Sequence, residues 1–154
     1  GHGVVLEDFE DQRWMDWWGS EVAIFSYEEA SDQAHSGNYS FRVEYYKSEP
    51  WQFIAAKPPE ELSDFSGADA VEVWVFGQAT LLLKLKDAAG MEVEVDTQSA
   101  EDPNNWSRLR FDLAELDSKF DLSNIDNLFF FPAPGDASAT GTIYLDDISL
   151  VGEP

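Results

Sequence analysis

The chain predicts an all-β fold, a two-sheet antiparallel β-sandwich of jelly-roll type with about ten strands. Three observations carry this. Short apolar stretches recur at regular spacing with turn residues between them, and no stretch of about 12 residues sustains a helical period. Several stretches alternate cleanly: Tyr39, Phe41, Val43 and Tyr45 share one parity, and Ser40, Arg42 and Glu44 the other. The first and last stretches, Leu6–Asp11 and Gly141–Val151, both embed carboxylates among apolar residues, as strands would that meet and share a cation.

In chain order, Val4–Glu10 reads as a strand ending in acids, and Asp11–Ser20 as a loop carrying Trp14, Trp17 and Trp18. Val22–Tyr27 is a strand, Glu28–Gly37 a polar loop, Tyr39–Tyr46 a half-buried strand and Trp51–Ala56 a short one. Lys57–Glu61 and Asp64–Gly67 are turns. Val71–Phe76 and Leu81–Lys86 are strands, the second with Leu81, Leu83 and Leu85 on one face. Asp87–Gly90 is a hairpin connection into Met91–Asp96, where Met91, Val93 and Val95 point inward. Trp106–Phe111 is a strand, Leu113–Phe120 holds one helical turn, and Leu128–Pro132 and Gly141–Val151 complete the sheets.

A length of 154 residues, with 44% hydrophobic and 14% aromatic residues, fits one globular domain, placed at 4–151. Gly1-His2-Gly3 reads as an expression scar and 152–154 as the start of a linker. No run near 18 apolar residues and no leader-type series occurs. The absence of cysteine removes disulfides, thiol catalysis and zinc–thiolate sites. A net charge of −22 opposes nucleic acid and anionic membranes as partners, and is compatible with a neutral partner or a divalent cation.

Five motifs occur in order: Asp8-Phe-Glu-Asp11, His35–Val43, Asp64–Trp74, Asn105–Leu113 and Thr142–Leu150. Together they resemble the galactose-binding-like jelly-roll modules of carbohydrate-active enzymes, most closely carbohydrate-binding modules of family 11 and its relatives, families 4, 22 and 30. The resemblance spans nearly the whole chain. It implies two antiparallel sheets, a structural calcium near the meeting of the first, third and last strands, and a glycan surface on the concave sheet or on the loops at one edge. It further implies a secreted or extracellular, monomeric module of a larger glycoside hydrolase.

Calcium takes six to eight oxygens at about 2.3–2.6 Å. Asp8 and Glu10 lie near one end and Asp146 and Asp147 near the other, and the Ser36-Gly37-Asn38 turn offers further oxygens through Ser36 and Asn38. The parity of Ile143 and Leu145 lands on Asp147, which makes it the first candidate ligand, with Glu10 second. Such an ion would staple the termini and take no part in a reaction.

Six Trp, five Tyr and eleven Phe exceed what one small core needs. A flat ring stacks on the apolar face of a pyranose while polar side chains take its hydroxyls. Phe129 and Phe131 are read as exposed, facing out of the core, with Trp51, Gln52 and Phe53 as further candidates and Trp17 and Trp18 as a rim. Lys84, Lys86, Glu92 and Glu94 supply polar contacts, and Trp106 is read as core. The preferred ligand is a neutral β-glucan, ahead of xylan, mannan or an acidic glycan. An acidic ligand would need Lys84, Lys86, Arg108 and Arg110 to cluster.

Catalysis is not expected. Carboxylate pairs abound, but His35 is the one histidine placed to act as a base, and it sits in the calcium-side turn. No Gly-x-Ser-x-Gly, phosphate-loop or His-Glu-x-x-His motif is present. The alternative is a structural or protein-interaction sandwich of the same fold. It expects Trp17, Trp18, Phe129 and Phe131 to be covered.

Overall fold

The computed structural model describes residues 3–10, 15–20, 33–152 and, as backbone alone, 24–30. Eleven strands are present among them: β1 (Val4–Glu7), β2 (Asp16–Gly19), β3 (Ile24–Ala30), β4 (Ser40–Lys47), β5 (Ile54–Lys57), β6 (Ala70–Phe76), β7 (Ala79–Asp87), β8 (Glu92–Ala100), β9 (Trp106–Asp112), β10 (Ile125–Pro132) and β11 (Ala139–Val151). They form two antiparallel sheets. One has the order β3-β4-β11-β6-β9, with β1 also on β11, and the other has the order β2-β5-β10-β7-β8. The chain is an all-β sandwich.

Strand alternation sets the core. Val71, Val73 and Val75 of β6, Leu81, Leu83 and Leu85 of β7, Phe41 and Val43 of β4, and Leu128 and Phe130 of β10 are all 3% exposed or less. Each such side chain contributes about 1.5–3 kcal/mol by leaving water. The odd-even parities read for these strands are the ones observed.

β11 joins the two ends of the chain. Its first half, Ala139–Leu145, pairs with β4. Its second half pairs with β1, through Val4↔Leu150, Val5↔Ser149 and Glu7↔Ile148. β6 runs along the other edge. A bulge between Asp146 and Ser149 interrupts that ladder, and Asp147 takes φ 46 there. The extra residue shifts parity, so that core positions run Ile143, Leu145 and then Ile148, Leu150.

Four readings change. The stretch around Trp17 and Trp18 is a strand, β2, paired with β5, where a loop was expected. Leu113–Phe120 makes turns, and the helical turn among the described residues is a 3-10 segment at Glu60–Leu62, where a plain turn was expected. Trp106 is half-buried and shares parity with the exposed Arg108, so it faces out of the six-stranded sheet. Its ring meets Phe76 at 5.6 Å and His35 at 5.7 Å, which buries it without the core. Trp14 and His2 lie outside the described residues.

Candidate functional site

Cross-strand register turns the outer face of the five-stranded sheet into rows. One row holds Trp18, Ala55, Phe129, Lys84 and Glu94, each opposite the next. Beside it lie Asn127, Lys86 and Glu92, and on its other side Phe131, Leu82 and Thr97. Most of the residues picked from sequence as ligand contacts therefore occupy one surface.

The aromatic members of this face cover one another. Phe53 meets Phe129 edge-on at 5.0 Å and Phe131 at 5.4 Å. Trp18 stands perpendicular to Phe53 at 5.3 Å and to Phe129 at 5.9 Å. Phe129 and Phe131 do point out of the main core, as expected, and with Ala55 they form a separate apolar cluster. Their exposure is only 7% and 9%, because Phe53, Leu82 and Trp18 lie against them. They are a floor, not free stacking platforms. The open rings are Trp18, 40% exposed, and Trp51, 51% exposed.

Trp51 borders a cleft of about 270 Å³ lined by Pro50, Leu82, Lys84, Glu94, Phe131, Pro134 and Gly135. Lys84 Nζ lies 5.4 Å from the Phe131 ring centre and 4.0 Å from Glu92, so its stem rests on the floor and its charge stays at the opening. Two buried polar residues hold the loop that carries Trp51. Gln52 is fully buried, and its Oε1 accepts the N–H groups of Ser48 (2.7 Å) and Glu49 (3.1 Å). Buried in this way, it is not the sugar contact that the sequence predicts. Its amide is instead consumed by the turn, where the buried Gln52 oxygen takes both N–H groups of the 48–49 backbone. Lys47 donates from Nζ to the carbonyls of Pro132 and Ala133, both at 2.8 Å, and of Pro50 at 3.3 Å. It clips the loop to the exit of β10, and burial lowers its pKa. Nothing in the sequence separates Lys47 from an ordinary surface lysine.

Trp17 is a correction. It is 7% exposed and packs in the main core against Phe41 (4.6 Å), Phe9 (5.9 Å) and Phe130 (6.3 Å). Adjacent residues of a strand point to opposite faces, so β2 sends Trp17 inward and Trp18 outward. The cationic residues are also separated. Lys84 and Lys86 are on this face, whereas Arg108 and Arg110 project from β9 of the other sheet toward Glu72 at 3.8 and 3.7 Å. They do not cluster.

The meeting of the chain ends forms a second polar assembly around the turn at residues 35–39. Glu10 accepts the N–H groups of Asn38 (2.7 Å) and Tyr39 (3.2 Å). Gly37 takes φ 66, and a Cβ on it would stand 2.3 Å from the Glu10 carboxylate. Asp8 accepts the N–H of Glu10 at 3.2 Å. Asp147 accepts the Ser36 hydroxyl at 2.6 Å and His35 Nδ1 at 2.7 Å, which fixes the proton on Nδ1 because a carboxylate only accepts. His35 in turn stacks on Trp74 at 3.8 Å. The parity argument had pointed Asp147 inward; the bulge makes Asp146 the fully buried acid instead. Asp146 accepts N–H groups from His35 (2.9 Å), Ser36 (3.3 Å) and Asp147 (2.8 Å). Burial first, and then the Asp147 charge, push its carboxyl up to about 6. Glu7, also fully buried, accepts the N–H of Met15 at 3.0 Å and was missed for the same reason: a bulge between Val5 and Glu7 breaks the count.

These oxygens are of the kind calcium takes, and Asp146 beside Asp147 is a buried charge that a cation would relieve. The carboxylates are spread along the turn, each engaged with its own N–H or hydroxyl. Among the described residues no three acidic or histidine side chains converge as a ready metal cluster.

No family model matches the sequence, and no curated protein matches it. Solved structures do. A family 11 carbohydrate-binding module of the cellulosomal cellulase Lic26A-Cel5E of Clostridium thermocellum superposes with a TM-score of 0.70 at 16% identity, covering 99% of this chain and 95% of that one. A family 11 module from the same organism, in complex with a β-1,3-1,4-mixed-linked tetrasaccharide, gives 0.69 at 16% identity, covering 97% and 95%. The C-terminal family 22 module of Clostridium thermocellum Xyn10B gives 0.62 at 18%, covering 95% and 92%. The fold expected from the motifs is the fold these modules share.

Proposed function

We propose that this chain is a non-catalytic carbohydrate-binding module, secreted as part of a larger glycoside hydrolase, that holds a neutral β-linked glucan on the outer face of its five-stranded sheet. The observation that carries the reading is the pair of open tryptophans, Trp18 and Trp51, on a face whose apolar floor is prebuilt. Charge supports neutrality of the ligand. The face carries Lys57, Lys84 and Lys86 against Asp16, Glu92, Glu94 and Asp126, three positive against four negative, in a chain of net charge −22. A polyanion would meet the field of the rest of the molecule without a basic cluster to receive it. A β-glucopyranose carries its hydroxyls equatorially and leaves axial C–H groups for an aromatic ring. The solved neighbour bound to a mixed-linked tetrasaccharide agrees with that ligand class.

Affinity electrophoresis on mixed-linked β-glucan, xylan, mannan and alginate tests this. The expected result is retardation by the β-glucan, with Trp18→Ala and Trp51→Ala each weakening binding about tenfold, as loss of about 1.4 kcal/mol of stacking gives. No retardation on any glycan would remove the reading. The protein-interaction alternative expected Trp17, Trp18, Phe129 and Phe131 to be covered; three are, by their own neighbours, and Trp18 is open.

We propose also that calcium binds at the meeting of the chain ends, held by Asp8, Glu10, Ser36, Asn38 and Asp147, where it would neutralise the charge against Asp146. Its contribution is to stability. Chelation is expected to lower the melting temperature and to leave glycan affinity below that temperature within about twofold, because the two sites lie on different sheets.

A further inference from the structure

We propose that Asn127 is the positioning residue of Trp18, and that it makes the indole a stacking surface with no hydrogen bond left to offer; this rests on the glycan-binding reading above. Asn127 sits on β10 with 8% exposure. Its Oδ1 accepts the Trp18 Nε1–H at 2.9 Å, and its Nδ2 donates to Asp126 Oδ2 at 3.1 Å. Asp126 Oδ1 in turn accepts from Lys57 Nζ at 2.5 Å. The direction of the relay is fixed by chemistry. An indole N–H can only donate and a carboxylate can only accept, so the amide of Asn127 has one orientation that satisfies both.

The consequence for the ring is specific. The χ2 rotation of a tryptophan is broad and roughly two-fold, so a half-exposed indole on a short edge strand has two ways to lie. The edge-on contacts with Phe53 and Phe129, at 88° and 81°, set its plane but not which edge faces inward. The hydrogen bond to Asn127 chooses the edge. A ligand then meets a preset surface and does not lose affinity to ordering it. Because the one polar atom of the ring is already used, Trp18 selects by contact with C–H faces, and hydroxyl recognition falls to others such as Lys84 and Glu94.

A double-mutant cycle on mixed-linked β-glucan, with indole ¹⁵N–¹H spectra of the same variants, tests the inference. Asn127→Ala is expected to weaken binding several-fold and to move the Trp18 indole resonance, leaving those of Trp74 and Trp106 in place. In a Trp18→Phe background, where there is no N–H to hold, Asn127→Ala is expected to change affinity by less than about twofold. Asp126→Ala, at a more exposed site, is expected to give the same pattern at smaller size, and serves if Asn127→Ala melts early. An equal loss in both backgrounds would mean that Asn127 acts by touching the glycan or by folding alone, and an unmoved Trp18 resonance would remove the hydrogen bond; either overturns the inference. Absence of binding by the unmutated protein would instead overturn the glycan-binding reading itself.

Discussion

Burial and the Asp147 charge hold the Asp146 carboxyl up at about 6. A folded-state value above the unfolded one means that the folded chain holds the proton more tightly. The stability this residue contributes is full below the ordinary carboxylate range of about 4 and is lost as pH rises through about 6. In chelator, the protein is thus expected to melt higher at about pH 5 than at about pH 7, and Asp146→Asn to flatten most of that difference while giving up part of the N–H contacts that the two carboxylate oxygens accept. Melting curves against pH check it, and an unchanged slope in the variant would contradict it. Below about pH 4 the trend reverses, because Asp64, Asp102 and Asp126 are held low by hydrogen bonds from Ser66, Asn104 and Lys57 and lose them on protonation. Gly37 is the second sensitive residue. With φ 66 and the Glu10 carboxylate where a Cβ would go, Gly37→Ala is expected to cost about 1–3 kcal/mol and to free the 35–39 turn. A denaturant midpoint unmoved by that substitution would contradict the tight closure. Asp8, Glu10 and Asp147 could be found in the sequence because acids in an apolar strand are unusual. Asp146 stands among the acids so found, but that it and Glu7 are the fully buried ones could not be read, because each depends on a bulge that no parity count contains.

Strands with long, strict alternation, β4, β6, β7 and β9, were readable with their inward faces. β2 was not: four residues, Asp16–Gly19, carry too little pattern to separate a strand from a loop, and its existence follows from pairing with β5. That one element decides the fate of two tryptophans, since it splits Trp17 from Trp18. The Trp106 error has another origin. The residue opens β9 on the parity of Arg108 and Arg110, so alternation already sets it outward and the core reading follows the motif instead; its burial comes from Phe76 and His35 on the outside of the sheet. The loop before β5 is the other element that sequence left open. Lys47→Met would strip three carbonyls of their donor. It is expected to destabilise the protein by about 1–3 kcal/mol and to weaken glycan binding by loosening Trp51. Calorimetry that finds full stability and full affinity in this variant would show that the clip is idle.

At the scale of the molecule, two sheets divide two tasks. The six-stranded sheet gathers both ends of the chain on β11, and its acidic turn closes the fold. The five-stranded sheet carries an apolar floor, two open tryptophans and a nearly balanced set of charges. A charge of −22 makes most surfaces of this protein repel anions, and that makes salt a discriminating variable. Raising salt to about 1 M, where the Debye length is about 3 Å, is expected to change affinity for a neutral glucan by less than about twofold. The broad architecture was legible because it rests on hydrophobic period and turn chemistry. The identity of the exposed rings was not, because exposure is decided by neighbours from distant strands. The proposed binding of a neutral β-glucan is to the outer face of β2-β5-β10-β7-β8. Its most direct test is a titration of the ¹⁵N-labelled protein with a mixed-linked β-glucan oligosaccharide, read at the tryptophan indoles. The indoles of Trp18 and Trp51 are expected to shift in a saturable way while those of Trp74 and Trp106, on the other sheet, stay fixed. Shifts confined to Trp74 and Trp106, or none at saturating glycan, would contradict it.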